Sequence, residues 1–179
     1  MDDDAALIEG TRAGRREDFD VLVERYQKRL YAFAYRFTRD HESAADIVQM
    51  TFLQAYTHLA QFGGRASFKT WLYQIALNQC RQAHRSRRAT REVPFDDVVE
   101  GQLRETAHPA GAPSEWKATL ERLIAELPFR QREVVTLRLF SDLRFKDIAR
   151  ATGRTENSAK VNYHHAIVRL RRWLREPAA

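Results

Sequence analysis

Apolar residues recur at spacings of three and four along most of the chain, which is the period of helices that bury one face. The clearest stripe lies early in the sequence and comprises Phe19, Leu22, Val23, Tyr26, Leu30, Phe33, Ala34 and Phe37. No segment shows the strict apolar–polar alternation of a half-buried strand. The pattern therefore predicts an all-α fold whose first major element is a long amphipathic helix.

Two more helices are predicted before residue 92. The second runs from about Ala44 to Leu59, and its buried stripe consists of Ala44, Val48, Phe52, Ala55 and Leu59. The third begins near Thr70, and its apolar positions are Trp71, Leu72, Ile75 and Ala76. A loop from Phe62 to Lys69, which contains two adjacent glycines, separates these helices.

The middle of the chain interrupts the helical pattern. Residues 93–114 contain prolines, glycines and mostly acidic charged residues. Because proline and glycine break helices, we interpret this segment as a linker. The predicted organisation is a first domain over residues 1–92, the linker over residues 93–114, and a second domain over residues 115–179.

The second domain has the layout of a helix-turn-helix. Helices are predicted over 115–127 and 131–140, a short third helix ends at Gly153, and Thr155 caps the fourth. The buried face of that last helix is predicted to comprise Ala159, Tyr163, Ala166, Ile167, Leu170, Trp173 and Leu174. The opposite face carries Asn157, Lys160, Val161, His164, Arg171, Arg172 and Arg175. A recognition helix places such residues on bases and phosphates, whereas an ordinary bundle helix leaves them solvated.

The charge of the chain points to a polyanionic partner, of which nucleic acid is the commonest. Lysine and arginine together number 30 against 24 aspartates and glutamates, which gives a net charge of +6 over 179 residues. Basic residues are densest at the end of the third helix, where Arg81, Arg85, Arg87, Arg88 and Arg91 cluster. Such a cluster favours phosphate contacts, although positive charges at a helix C-terminus also complement the helix dipole.

The sequence lacks the residues that several kinds of functional site require. The single cysteine, Cys80, excludes an intrachain disulfide and a cysteine-based zinc site, and it fits a reducing cytoplasm. His164 and His165 are neighbours on a helix and point about 100° apart, which disfavours a shared metal ion. The acidic N-terminus is unlike a secretory signal, and no apolar run approaches the ~20 residues of a membrane span. We therefore expect no enzyme activity, no metal, no cofactor and no membrane insertion.

Three segments match motifs that occur together in one family. Asp46-Ile47-Val48-Gln49-Met50-Thr51-Phe52 resembles a polymerase-binding helix. Phe68-Lys69-Thr70-Trp71-Leu72-Tyr73-Gln74-Ile75-Ala76-Leu77-Asn78 resembles a melting helix that is usually written F-x-T-W-L-Y-x-I-A-x-N. Leu127-Pro128, followed by Arg132 and Val134, resembles the start of a promoter-binding domain. In this order the chain resembles, over nearly its whole length, the sigma-70 family of bacterial RNA polymerase sigma factors, in its extracytoplasmic-function group.

The resemblance implies a protein that binds core RNA polymerase and directs it to promoter DNA. The first domain would dock on the polymerase through Asp46, Gln49, Met50 and Leu53, which share one outward helix face. It would open the −10 element, where a base leaves the stack and needs a pocket. The residues implied in this role are Phe62, Gly64, Arg65, Ser67, Phe68, Asn78, Arg81, Arg85 and Arg88. The second domain would read the −35 element with Asn157, Lys160, Val161, His164, Arg171 and Arg172.

The resemblance also implies a form of control. The family's docking helix commonly reads D-A-E-D-L-V-Q-E, whereas this chain reads Ser43-Ala44-Ala45-Asp46-Ile47-Val48-Gln49-Met50 and keeps only Asp46 among those acids. Fewer acids weaken pairing with a basic polymerase surface, and a phosphate would restore negative charge. Thr51 is the candidate acceptor and Ser43 the runner-up. The implied partner is a Ser/Thr protein kinase, and an anti-sigma factor is the alternative.

Two other functions stay open from the sequence. A conventional helix-turn-helix repressor or activator would explain residues 115–179 but leaves the first domain without a role. An enzyme acting on nucleic acid would need a metal cluster, a cysteine nucleophile or paired carboxylates beside the basic patches, and the sequence shows none of these.

Overall fold

The computed structural model describes residues 3–90 and 115–175, which form eight α-helices and one short 3₁₀ helix. The first segment contains α1 (Asp3–Arg12), α2 (Arg16–Thr38), α3 (His41–Thr57), the 3₁₀ turn Leu59–Gln61 and α4 (Phe68–Thr90). The second contains α5 (Glu115–Glu126), α6 (Phe129–Leu139), α7 (Phe145–Thr152) and α8 (Glu156–Arg175). The predicted all-α fold is confirmed, since neither described segment contains a strand. The predicted linker over 93–114 lies outside the described residues.

The long amphipathic helix is α2, and most of its predicted apolar stripe is buried. It ends because Arg39 adopts a left-handed conformation, with φ 53°, from which its N–H donates to the carbonyl of Tyr35. Asp40 then caps α3, since its carboxylate accepts a hydrogen bond from the backbone N–H of Ser43 at 2.8 Å. This short connection packs α2 directly against α3.

Several helix ends differ from the sequence prediction, among them the starts of α3, at His41 rather than near Ala44, and of α6, at Phe129 rather than Gln131. α3 ends at Thr57, and Leu59 is buried within the 3₁₀ turn that follows. α4 begins at Phe68 rather than near Thr70, because the Ser67 hydroxyl accepts a hydrogen bond from the Thr70 N–H at 3.1 Å. This cap fixes the first turn of the helix ahead of its aromatic run.

The turn chemistry predicted for the helix-turn-helix is confirmed. Gly153 ends α7 in the left-handed region, with φ 71°, and its N–H donates to the carbonyls of the last turn. The Thr155 hydroxyl accepts a hydrogen bond from the Ser158 N–H at 3.1 Å and so caps α8. One prediction about α8 is wrong, because Leu174 is 53% exposed rather than buried. The buried positions of this helix are Ala159, Ala166 and Leu170.

Two apolar clusters hold the described residues together. The larger cluster joins the two segments, because it contains core residues of α2, α3 and α4 together with Val134, Leu137, Leu143 and Ile148 of the second segment. The smaller cluster lies within the second segment and comprises Leu123, Ile124, Leu127, Val135, Ala166 and Leu170. The helix-turn-helix half therefore shares part of its core with the first half.

Candidate partner-binding and nucleic-acid interfaces

The outward face of α3 combines acid, amide and exposed apolar groups. Asp46 and Gln49 are exposed, while Met50 and Leu53 are 42% and 56% exposed. Tyr56, one turn further along, is exposed as well. Large apolar side chains that stay half in water on successive turns are typical of a surface that another protein covers. The four residues predicted to bind a partner through α3 thus lie together on its accessible face.

The two candidate phosphate acceptors have opposite environments. Thr51 is 0% exposed, and its hydroxyl donates to the carbonyl of Ile47 at 2.6 Å, so a kinase cannot reach it in this fold. Ser43 is only half-buried in the first turn of α3, and its hydroxyl accepts a hydrogen bond from Arg87 at 3.0 Å. Of the two candidate acceptors, only Ser43 is accessible in the folded chain, and modification of Thr51 would require α3 to move away from its neighbours.

Two arginines from distant elements hold the loop ahead of α4. The Arg12 guanidinium of α1 donates to the carbonyls of Leu59, at 2.9 Å, and Phe62. Arg150 of α7 donates to the carbonyl of Arg65 at 2.8 Å. These contacts fix the backbone of the loop and leave the Arg65 side chain exposed. Sequence reasoning missed both arginines, because neither lies within a recognisable motif.

Within this loop, Gly64 has a positive φ of 65°, which favours glycine at that position. The side chains of Arg65 and Ser67 are exposed, as predicted for residues that meet DNA. Phe62 is half-buried, with its ring 5.0 Å from that of Trp71. The prediction for Phe68 is wrong, because its ring is buried against Tyr26 at 5.8 Å and has no surface to offer.

Some of the basic residues at the end of α4 make contacts within the protein. Asn78 and Arg85 are exposed, as a nucleic-acid contact requires. Arg81, predicted as a DNA contact, is instead partly buried in an ion pair with Glu133, at 2.6 Å between Nε and Oε1. Arg88 lies in α4, but its side chain is outside the described part of the structure.

Arg87 of the basic cluster and the neighbouring His84 also make internal contacts. Arg87 donates to the carbonyl of Thr38 at 2.6 Å, and the His84 ring stacks on Phe129 at 4.5 Å between centroids. A cluster of positive residues in a sequence thus includes groups that tie α4 to its neighbours. Arg85 and Arg87 are both exposed, so Arg87 is recognised as a structural member by its contacts rather than by burial.

The outward face of α8 is fully accessible. The residues predicted to read DNA are all exposed, and they are Asn157, Lys160, Val161, His164, Arg171 and Arg172. Lys160 lies 2.8 Å from Glu156, and this contact lowers the pKa of the Glu156 carboxyl. His165 and Val168 are exposed on the same side of the helix, and sequence reasoning missed Val168. Its spacing of seven residues from Val161 was the available signal.

A shallow basic depression lies beside the start of α8. It is lined by Arg138, Arg144, Phe145, Lys146 and Glu156. The exposed cations Arg144 and Lys146 precede or begin α7, next to the face of α8 that is predicted to meet DNA. Such flanking cations are suited to phosphates rather than base edges.

The described residues were also compared with the requirements of a metal site and of a membrane-spanning helix. No group of three or more His, Cys, Asp or Glu side chains in residues 3–90 and 115–175 is arranged to hold a metal ion. Over the same residues, no helix combines the length and apolar character needed to span a membrane.

Comparison with known proteins relates this arrangement to two described sequence families. Residues 22–90 match Sigma-70 region 2, and residues 117–170 match Sigma-70, region 4. The RNA polymerase sigma-H factor of Pseudomonas aeruginosa is 34% identical over 158 residues, covering 83% of this chain and 82% of the relative. The ECF RNA polymerase sigma-E factor of Escherichia coli is 31% identical over 158 residues, covering 82% and 81%.

Two solved structures share the fold. The structure of CnrH in complex with the cytosolic domain of CnrY has a TM-score of 0.76 and 24% identity, over 99% of this chain and 100% of that chain. The sigma factor RpoE of Bartonella quintana, solved in complex with the anti-sigma factor NepR, has a TM-score of 0.74 and 25% identity. It covers 90% of this chain and 99% of that chain.

Proposed function

Because the chain belongs to the sigma-70 family of RNA polymerase sigma factors, in its extracytoplasmic-function group, we propose that three exposed surfaces carry out separate steps of promoter-specific initiation. Sigma factors are initiation factors, not enzymes, and they bind core RNA polymerase and promoter DNA. In this chain α3 docks on the polymerase, α4 and its preceding loop open the −10 element, and α8 reads the −35 element. Transcription initiation by this chain takes place on genomic DNA, in the cytoplasm.

The observation that carries the docking role is the half-exposed apolar face of α3. Met50 and Leu53 gain burial only when another protein covers them, and Asp46 lies beside them to pair with a cation of that partner. With few acids on this face, most of the docking free energy comes from apolar burial. Docking should therefore depend less on salt than it does for a relative with a fully acidic helix.

The −10 role is supported by an exposed amide beside a fixed loop. Asn78 offers both a donor and an acceptor to the edge of an extruded base. Phe62 supplies an aromatic surface at the loop, and Arg65 with Arg85 supplies positive charge for the displaced strand. Because Arg12 and Arg150 hold the loop backbone, less ordering of the chain is needed when the base enters.

The −35 role is supported by the composition of the exposed face of α8. Asn157 and His164 present hydrogen-bonding groups in the first half of the helix, and Val161 between them suits a thymine methyl group. Arg171 and Arg172, further along, are placed for phosphates. Arg144 and Lys146 add phosphate contacts across the turn.

The accessible acceptor on α3 supports control by a Ser/Thr protein kinase. A phosphate on Ser43 would lie in the first turn of α3, where the helix dipole favours negative charge, and within reach of Arg87. It would add negative charge to a docking helix that lacks most of the family's acids. Ser43→Ala should abolish activity in cells, whereas Thr51→Val, which keeps the buried shape, should not. Restoring acids at Ser43, Ala45 and Met50 should make activity independent of the kinase.

The alternative regulator is an anti-sigma factor, supported by the complex of the Bartonella quintana relative with NepR. The two regulators predict different results for Ser43→Ala. Full activity of that variant in cells, together with a protein inhibitor that copurifies with the wild-type chain, would favour the anti-sigma factor over the kinase.

In vitro transcription with purified core RNA polymerase on a genomic library tests the proposed function. We expect discrete start sites that share −10 and −35 sequences, and none when this chain is omitted. Tight binding of the isolated chain to duplex DNA, without any start site in the presence of polymerase, would contradict the proposal. That outcome would favour a conventional helix-turn-helix regulator.

A matched pair of variants tests the melting role of α4. Asn78→Ala removes the exposed amide proposed to hold the base, while Gln27→Ala removes an exposed amide from α2. Loss of one hydrogen bond to the base should lower open-complex formation about tenfold for Asn78→Ala alone. A template that is already melted at −10 should restore most of the activity. Equal activity of the two variants on duplex promoters would contradict the role.

A further inference from the structure

A cation of α2 lies beside the start of α4, outside the three surfaces described above. This residue, Arg29, is exposed. Tyr26, one turn earlier on the same helix, packs its ring 5.8 Å from that of Phe68, the first residue of α4. Because residues three apart on a helix are neighbours, Arg29 lies on the side of α2 that meets the start of α4.

Arg29 acts electrostatically on two residues of α4. Burial lowers the pKa of the Lys69 ammonium, Asp142 partly offsets that effect, and the positive charge of Arg29 lowers the pKa further. Burial raises the pKa of the Tyr73 hydroxyl, and the charge of Arg29 opposes that rise. The effects on both residues indicate that the Arg29 guanidinium lies close to the first turns of α4.

The charge of Arg29 is not neutralised by an ion pair in the described part of the chain. Arg25, one turn earlier, pairs with Asp4 of α1, whereas no ion pair among the described residues includes Arg29. Asp142, which acts on Lys69 from the second half, has 95% of its side chain exposed, so solvent screens its charge. The start of α4 is therefore electropositive on the side that faces α2.

The start of α4 lies on the downstream side of the proposed base pocket. After α4 the chain continues to the half proposed to read the −35 element, which lies upstream of the −10 element. The end of α4, with Arg85, therefore faces upstream, and Lys69 at its start faces downstream. Lys69 and Asn78 are nine residues apart, or about 13 Å along the helix at about 1.5 Å per residue. That length corresponds to about four nucleotides at about 3.4 Å each.

The displaced strand is the anion that reaches this position in the open complex. Downstream of the extruded base the two strands are separated, and a positively charged groove can follow the backbone of the single strand. A guanidinium binds a phosphate through two parallel hydrogen bonds, and a neighbouring ammonium adds a point charge. An anion beside Lys69 would also oppose the lowering of its pKa by burial. Arg29 and Lys69 together therefore suit one phosphate of that strand.

We propose that Arg29 of α2, with Lys69 of α4, holds a phosphate of the displaced strand about four nucleotides downstream of the extruded base. The inference rests on the proposed function and extends its −10 surface from α4 to α2. The contact opposes reannealing of the separated strands, so it stabilises the open complex rather than the first complex with duplex DNA. An acidic surface of the polymerase is the other possible partner of Arg29, and the experiment below distinguishes the two.

Binding of forked promoter DNA to the holoenzyme, formed from the full chain and core polymerase, tests the contact. In one template the displaced strand ends about two nucleotides beyond the extruded base, and in the other it continues for about ten. Arg29→Gln should lower the affinity for the longer template about fivefold and reduce the salt slope by about 0.7. The affinity for the shorter template should not change. Arg29→Lys, which keeps the charge, should recover most of the affinity.

The matched control is Arg16→Gln, which removes an exposed arginine at the other end of α2 and should affect neither template. Equal affinities of the two glutamine variants for the longer template would overturn the contact, as would equal weakening of Arg29→Gln on both templates. Weaker binding of Arg29→Gln to core polymerase without DNA would overturn it as well, by assigning Arg29 to a protein surface. If the holoenzyme binds the longer template through Arg29 but the wild-type chain gives no start sites, the contact stands and the proposed function is refuted.

Discussion

Truncation of Leu53 to alanine should weaken docking on core RNA polymerase without weakening the fold. The side chain is 56% exposed in the free chain, so about half of it remains to be buried by a partner. Complete burial of a leucine side chain contributes about 1.5–3 kcal/mol. Burial of the exposed half therefore contributes about 1 kcal/mol, which corresponds to an increase in Kd of about fivefold for Leu53→Ala.

The control for this prediction is Leu174→Ala on α8. Leu174 is 53% exposed, nearly the same as Leu53, but it lies outside the proposed docking face. Its truncation should leave the Kd for core polymerase unchanged. Both variants should unfold within about 0.5 kcal/mol of the wild type, because neither site is buried in the free chain.

Titration of core polymerase with fluorescently labelled chain measures the two dissociation constants directly. Met50→Ala adds a third point, since Met50 is 42% exposed on the same face and should cost a similar amount. The double variant should fall short of the product of the two effects, because neighbouring residues share one contact surface. Wild-type affinity for Leu53→Ala, or equal weakening by Leu174→Ala, would refute the assignment of α3 as the docking helix.

Three further predictions concern stability, reactivity and specificity. Asp40→Ala removes the cap of α3 and should cost about 1 kcal/mol of unfolding free energy at pH 7. The hydrogen bonds from Ser43 lower the pKa of the Asp40 carboxyl, so the difference between wild type and variant in urea titrations should shrink as the pH falls below about 4. Burial raises the pKa of the Cys80 thiol, so iodoacetamide should modify it slowly in the native chain and rapidly in urea, and equal rates would contradict its burial. His164→Ala should change base preference at −35, whereas Arg85→Ala should weaken all promoters and lower the salt slope by about one; the reverse result would contradict the assignment of the two halves.

The helices could be predicted from the sequence because their signals are local. The apolar stripe of α2, the glycine that ends α7 and the threonine that caps α8 act within one or two turns of the chain. The misplaced start of α4, at Phe68, also has a local cause. Its capping residue, Ser67, stood in the sequence but was assigned to DNA binding instead.

The site residues that were wrongly predicted share a different cause. Phe68 and Arg81 both lie within a recognised motif, yet their surroundings are set by residues far away in the chain. Tyr26 of α2 covers Phe68, and Glu133 of α6 takes Arg81. A motif specifies which residue stands at a position, but not whether a distant partner leaves it accessible.

Glu133 itself could not be identified from its neighbours in the sequence. It lies between an arginine and two valines on α6, where the pattern of an amphipathic helix predicts that a single acid is exposed. Its burial depends on Arg81, which is 52 residues earlier in the chain, and on Arg154 across the next turn. Because the linker separates Arg81 from Glu133 in the sequence, no local pattern indicates their pairing.

The pairing of Glu133 with two arginines contributes less to the stability of the chain than its burial suggests. A buried carboxylate held between two arginines contributes little net free energy, because desolvation of the charges offsets their attraction. Loss of one partner, however, leaves a buried charge and costs about 3–5 kcal/mol. Replacement of Arg81 or Arg154 alone should therefore destabilise the chain by much more than the intact pairing stabilises it, and urea unfolding of each variant measures the difference.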